Sequence, residues 1–268
     1  MTWTIAGTQL DSRFFLGTAG YPSPRILEQS IQASGAQVVT VGLKRQMAHG
    51  EPSPGSDGQK PGGQAFFQLI RQSGARLLPN TAGCHTAAEA IALARMAREV
   101  FDTHWLKLEV IGDHYTLQPD PFELVNAAHT LVKEGFEVFP YCTDDLVTCQ
   151  RLLDAGCRIL MPWGAPIGSG QGLINQYALR TLRDRITDVP LIIDAGIGSP
   201  MDAAQAMEMG FDGVLLNSAV SHAHNPPLMA EAFKLAIEAG RKAFEAGIMA
   251  EQDMAIATTP VTGRPFVL

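Results

Sequence analysis

The chain has 268 residues, 46% of them hydrophobic and 18% charged, with Gly 26 and Pro 17. That length and balance suit one large globular domain and argue against disorder or a collagen-like repeat. Lys plus Arg at 20 against Asp plus Glu at 27 leaves a net charge of −7, a poor match for duplex nucleic acid or an anionic membrane, although backbone amides can still bind a single phosphate.

The opening MTWTIAGTQLDSRFF has no basic segment leading into an apolar run, and no stretch reaches 18 apolar residues. The expectation is therefore a cytoplasmic chain with no transmembrane helix. WTIAG (3–7) reads as an extra strand that plugs a barrel floor, and RFFLG (13–17) as the first barrel strand. Helical PRILEQSIQAS (24–34) ends at Gly35, followed by the apolar strand VVTVGL (38–43). The same sign recurs with Gly74 before LLPN, Gly135 before VFPY, Gly156 before ILMP and Gly210 before VLLN. Glycine just past a helix is the left-handed C-cap that lets the chain turn back into a strand.

WLKLEV (105–110) and PLIID (190–194) complete eight strands, and helical patterns such as FELVNAAHTLVKE (122–134) separate them. One helix starts at Thr86 with Glu89 at capping-box spacing. Eight strands without sharp alternation, each followed by a helix, predict an α/β fold, a (β/α)₈ TIM barrel over residues 1–250. A doubly wound sheet fits less well, because no GxGxxG follows the first strand. EPSPGSDGQKPGG (51–63) holds seven Pro or Gly in thirteen and predicts a mobile βα loop over 45–63. The tail, 251–268, is too apolar for free solvation and is expected to cover a neighbour or the barrel mouth.

Only six lysines occur, and Lys107 lies inside WLKLEV. Strand alternation sends Leu106, Leu108 and Val110 to one face and Trp105, Lys107 and Glu109 to the other. The aliphatic face suits the helix layer, so the charged pair points into the barrel near its upper end. A buried ammonium is costly unless paired, and one placed there suits imine formation with a ketone or aldehyde. A structural Lys–Glu pair is the alternative. Asp194 closes PLIIDAGIG at the end of the seventh strand, where a carboxylate can shuttle protons or brace the loop.

GAPIGSGQG (164–172), AGIGSP (195–200) and NSAV (217–220) follow strands six, seven and eight. Glycines let backbone N–H groups approach an anion, and barrels often hold a phosphate after strands seven and eight. The expected ligand is a phosphorylated carbonyl compound. Cys84, Cys142, Cys149 and Cys157 show no CxxC and read as core residues, and His222 and His224 read as a solvated loop pair; no metal or other cofactor is implied.

NTAGCHTAAEA (80–90), WLKLEVIGD (105–113), LQPDPFELVNAA (117–128), MPWGAPIGSGQGL (161–173) and DAGIGSPMDAAQAMEMGFDGVLLNSA (194–219) resemble the thiazole synthase (ThiG) family of thiamine biosynthesis. The resemblance implies a barrel transferase that joins 1-deoxy-D-xylulose 5-phosphate, dehydroglycine and the thiocarboxylate of a ThiS-like sulfur carrier into a phosphorylated thiazole carboxylate. It implies that Lys107 forms the imine, that Glu109 and Asp194 are acid/base groups, and that Gly168, Ala195, Gly196, Asn217 and Ser218 hold the sugar phosphate. Trp163, where the family has an aliphatic residue, and the long insertion at 51–63 depart from it. Rival readings are another imine-forming phosphate barrel (a pyridoxal phosphate synthase subunit or a class I aldolase) and a non-catalytic sulfur-carrier scaffold. Apolar helix faces favour a homo-oligomer.

Overall fold

A computed structural model describes residues 2–43 and 62–256. Two short strands, β1 (Trp3–Ile5) and β2 (Thr8–Leu10), form an antiparallel hairpin. Eight parallel strands follow: β3 (Phe14–Gly17), β4 (Val38–Gly42), β5 (Arg76–Asn80), β6 (Trp105–Leu108), β7 (Glu137–Cys142), β8 (Met161–Pro162), β9 (Ile192–Asp194) and β10 (Gly213–Leu216). They pair in chain order, and β10 returns to β3. The remaining seam closes where Leu160 N–H donates to Pro190 O at 3.1 Å and Ile192 N–H donates to Leu160 O at 3.0 Å. The expected (β/α)₈ barrel is therefore the observed fold.

The outer layer contains α1 (Pro24–Ser34), α2 (Gly62–Ser73), α3 (Ala87–Phe101), α4 (Pro121–Lys133), α5 (Leu146–Asp154), α6 (Gln176–Arg185), α7 (Pro200–Glu208), the short α8 (Ser218–Ser221) and α9 (Pro226–Ala246). All five glycines singled out as helix stops have positive φ. The α3 end shows how tertiary structure can dispense with glycine: Asp102 takes the left-handed cap with φ 49°. At the start of α3 the capping box is shifted. Thr86 Oγ1 accepts from Glu89 N–H at 3.2 Å, but the Glu89 carboxylate accepts from His85 N–H at 2.9 Å rather than from the cap residue.

Two departures from the sequence reading concern the edges of the chain. Gly62 and Gly63 open α2 instead of closing a loop, and the rest of the Pro/Gly-rich segment lies outside the described residues. Residues 251–256 of the tail are exposed, and its remainder also lies outside the described residues.

Strand alternation builds the interior in layers. Phe15, Val38, Leu78, Trp105, Phe139, Met161, Ile192 and Leu215, one from each barrel strand, form an apolar cluster with Trp3, Ile5 and Leu10 of the hairpin. The floor is thus plugged by a hairpin, where a single strand was expected. Outside the sheet, Leu106, Leu108 and Val110 join the helix-facing core. Moving two residues along each strand from the apolar layer reaches Gly17, Thr40, Asn80, Lys107, Tyr141, Trp163, Asp194 and Asn217. The chemistry-bearing layer lies directly above a filled, dry plug.

Trp3 is buried beside Phe15, carries the Arg13 guanidinium 4.9 Å above its ring, and donates its indole N–H to Ser12 O at 3.0 Å. Trp3→Ala should destabilise the fold by about 3 kcal/mol, which for a chain of this size lowers the melting temperature by roughly 6–12 °C; calorimetry checks this.

Candidate active site

The site begins with the turn after β5. Thr81 is fully buried, and its hydroxyl donates to Glu109 O while accepting from Glu109 N–H, both at 2.8 Å. Thr81 N–H also donates to Lys107 O at 3.2 Å. One short polar side chain therefore holds Glu109 in line after β6 has ended at Leu108. Sequence reading passed over Thr81; its only signal was a hydroxyl residue immediately after a strand.

Lys107 is 5% exposed, Glu109 5% and Asp194 1%. Lys107 Nζ lies 2.8 Å from Asp194 Oδ2 and 3.2 Å from Glu109 Oε1. β6 and β9 are not neighbours in the sheet, so the triad spans the barrel interior. Burial disfavours the ammonium, but the charges of Asp194 and Glu109 outweigh it and hold the Lys107 pKa above its ordinary value. Burial pushes Asp194 up to about 6; the Lys107 charge opposes that rise and Glu109 adds to it. Both directions are compatible, because two carboxylates share one cation and one of them is relatively ready to take a proton.

Above the triad opens a cavity of about 710 Å³, lined by Lys107, Glu109 and Asp194 together with Gly168, Ala195, Gly196, Asn217 and Ser218. All eight residues singled out in the sequence thus face one space. Part of the rim is made by the loops after β8, β9 and β10. The backbone amides of Gly168, Gly170 and Gly196 donate to no described residue, as an anion cradle requires. Those of Gly198 and Ser199 are taken by Asp202 Oδ2 at 3.0 and 2.8 Å. Ser218 points toward Gly168, its Oγ 3.9 Å from where a side chain there would begin.

Close backbone approach dictates the small residues. A Cβ on Gly196, whose φ is +79°, would sit 2.3 Å from Ala165 N. Ala195 itself adopts φ 75°, a left-handed conformation that strains an L-residue beside Asp194. Asn217 behaves differently from the rest of the cradle. Its Oδ1 accepts from Ala19 N–H at 3.2 Å and its Nδ2 donates to Ala19 O at 2.9 Å. The amide side chain clamps the turn after β3, and Gly17 makes room, since a Cβ there would lie 2.4 Å from Asn217 Cβ.

His222 and His224 are both exposed, as read from the sequence; His222 in addition lines the mouth of the cavity. The turn from Asn217 into α8 returns His222 to the mouth, a placement invisible in spacing alone. The four cysteines are buried and form no disulfide, as expected of core residues, with Cys142 and Cys149 Sγ atoms 3.8 Å apart.

A buried amine between two carboxylates, at the mouth of a closed barrel and in one cavity with Gly-rich loops whose amides at Gly168, Gly170 and Gly196 lack an acceptor among the described residues, defines a (β/α)₈ enzyme site. The comparisons with known proteins are specific. A model of the thiazole biosynthesis protein ThiG matches residues 4–260. A thiazole synthase of Coxiella burnetii is 57% identical over 99% of this chain and 98% of its own length, and one of Cupriavidus metallidurans is 56% identical over 98% and 92%. The BexX/CysO complex of Amycolatopsis orientalis contains a chain with TM-score 0.80 and 30% identity, covering 94% of this chain and 98% of that one.

The chain belongs to the ThiG family. Its activity is that of a thiazole synthase, a sulfur-transferring enzyme of thiamine biosynthesis. No helix among the described residues is long and apolar enough to cross a membrane.

Gly196→Ala is expected to force the Gly196 and Ala165 loops apart. The outcome should be a lower melting temperature and a phosphate-ester affinity reduced by roughly tenfold or more, read by calorimetric titration.

Proposed function

We propose that this chain joins 1-deoxy-D-xylulose 5-phosphate, dehydroglycine and the thiocarboxylate of a ThiS-like carrier protein through an imine on Lys107. The observation that carries the reading is the 2.8 Å approach of Lys107 Nζ to Asp194 within a cavity that also contains the free-amide cradle. The sugar phosphate rests on Gly168, Gly196 and Ser218, with Ala195 shaping the loop and the Asn217 side chain fixing the turn that opposes it. That anchoring uses the non-reacting end of the substrate to align its C2 ketone with Nζ.

Lys107 rests as an ammonium and must surrender a proton before it can attack. Asp194 is the nearest base, and its raised pKa makes it a better acceptor than an ordinary aspartate. The free amine adds to C2, and the hydroxyl so formed leaves as water once protonated. The iminium then acidifies the proton on C3. Removal of that proton by Glu109 or Asp194, followed by reprotonation, moves the carbonyl to C3. The carrier's thiocarboxylate sulfur adds there, and its acyl–sulfur bond breaks as the acyl group passes to oxygen, so the sulfur stays on the sugar and the carrier departs as a carboxylate. The dehydroglycine nitrogen then replaces Lys107 at C2, releasing the free amine, and the sulfur closes the ring on the imine carbon with loss of water. A protein partner is supported by the BexX/CysO complex, in which a chain of this fold is solved together with a second protein.

Borohydride added to the enzyme with the sugar phosphate should yield a secondary amine on Lys107, located by peptide mass spectrometry. Lys107→Arg keeps the charge but should give no adduct; an adduct on another residue, or none on active wild-type enzyme, would overturn the imine.

The pH profile offers a separate check. Because Asp194 has to be ionised to accept the ammonium proton, kcat should rise through a limb near pH 6, above the ordinary aspartate value. Asp194→Asn should remove that limb and lower kcat by roughly 10²- to 10⁴-fold, measured by thiazole product formation from pH 5 to 9.

A further inference from the structure

Tyr141 lies on β7, two residues beyond Phe139, which pairs in register with Lys107 on the adjacent β6. The side chain is fully buried, and its ring passes beneath Lys107 Nζ, 5.5 Å from nitrogen to centroid. Its other contacts are apolar: Ile111, Trp163, Leu117, Ile167 and Ala195 form a small cluster around it. Trp163 is anchored from behind, donating its indole N–H to Asp144 Oδ1 at 2.9 Å. The phenol oxygen has no hydrogen-bond partner among the described residues. We propose that Tyr141 is a positioning residue whose ring face holds the Lys107 nitrogen while it is positively charged, from the resting ammonium through the iminium.

This inference rests on the imine reading above and extends it to a residue that does not touch substrate. The groups facing Lys107 are Asp194 from β9, Glu109 from the end of β6, and Tyr141 from β7. The two carboxylates are designed for change. Once Asp194 accepts the ammonium proton it ceases to be a counter-ion, and conversion to an iminium reduces the nitrogen from three N–H donors to one. Pairing with both carboxylates cannot then continue. An aromatic face requires no N–H donor; it responds to the charge itself, and burial keeps that attraction from being screened. The phenol remains neutral, since burial and the charges of Asp194 and Glu109 all push its pKa upward. The ring therefore acts through its π-face, for which phenylalanine is an adequate replacement.

The experiment compares full-length wild type, Tyr141→Phe, Tyr141→Leu and Tyr141→Met by borohydride trapping with 1-deoxy-D-xylulose 5-phosphate between pH 6 and 10. Methionine, similar in volume to leucine but unbranched and more adaptable, provides a second ring-free variant should leucine fail to fold; melting curves identify the folded proteins. Tyr141→Phe should trap like wild type. The folded ring-free variants should show an imine fraction roughly 3- to 30-fold smaller, with the trapping midpoint moved to lower pH because the cation has lost support. A merely structural role would not move that midpoint in this direction and be rescued by phenylalanine. Wild-type behaviour in the ring-free variants overturns the proposal, as does Tyr141→Phe falling as far as they do. Absence of trapping in wild type would instead overturn the imine reading itself.

Discussion

A positive charge held inside a protein needs opposite charge close by, and everything at the mouth of this barrel is arranged around that requirement. Lys107 is met by Asp194 from across the barrel and by Glu109 from its own strand extension. The resulting triad is net negative when both carboxylates are ionised, which burial resists by raising the Asp194 pKa. Structural stability and chemical readiness are therefore in tension. The same ion pairs that allow a lysine to be buried keep it protonated, and in the proposed imine route an acceptor with a raised pKa is what lets it become a nucleophile.

The barrel supplies the rigidity that such a triad demands. Below it, one large apolar residue from each strand and three from the N-terminal hairpin exclude water. Around it, short polar side chains do local work: Thr81 holds the Glu109 backbone and Asn217 ties together the turns after β3 and β10. Asp202 links two loops of the cradle, accepting from Gly198 and Ser199 while its carboxylate lies against Gly172. Backbone donors at Gly168, Gly170 and Gly196, which have no acceptor among the described residues, contrast with those spent at Gly198 and Ser199. Glycine abundance marks where a cradle is built, but only the hydrogen-bond pattern distinguishes its open donors from its occupied ones.

Charge economy separates the two ends of the cavity. Among the described residues, His222 is apart from Lys107 the one lining residue that can carry positive charge. On the proposed reading, the phosphate end of the substrate is met by backbone dipoles and its carbonyl end by the Lys107 triad. Trp163 finds its place in the wall behind Tyr141. A large side chain is accommodated there because Asp144 accepts its indole N–H.

Local chain physics was sufficient to place the helices, their glycine stops, the eight strands and the inward sense of Lys107, because each depends on backbone conformation or on a two-residue period that neighbours cannot alter. Lys107, Glu109, Asp194 and the three Gly-rich turns were legible for that reason. The hairpin form of the plug, the place of His222 at the cavity mouth, the clamp made by Asn217 and the ring beneath Lys107 were not. Each depends on which strands become neighbours or face one another across the closed barrel: Tyr141 lies 34 residues from Lys107, and Asn217 reaches Ala19 across 198. Separation along the chain carries no distance in space until the sheet closes, so those contacts belong to the tertiary structure alone.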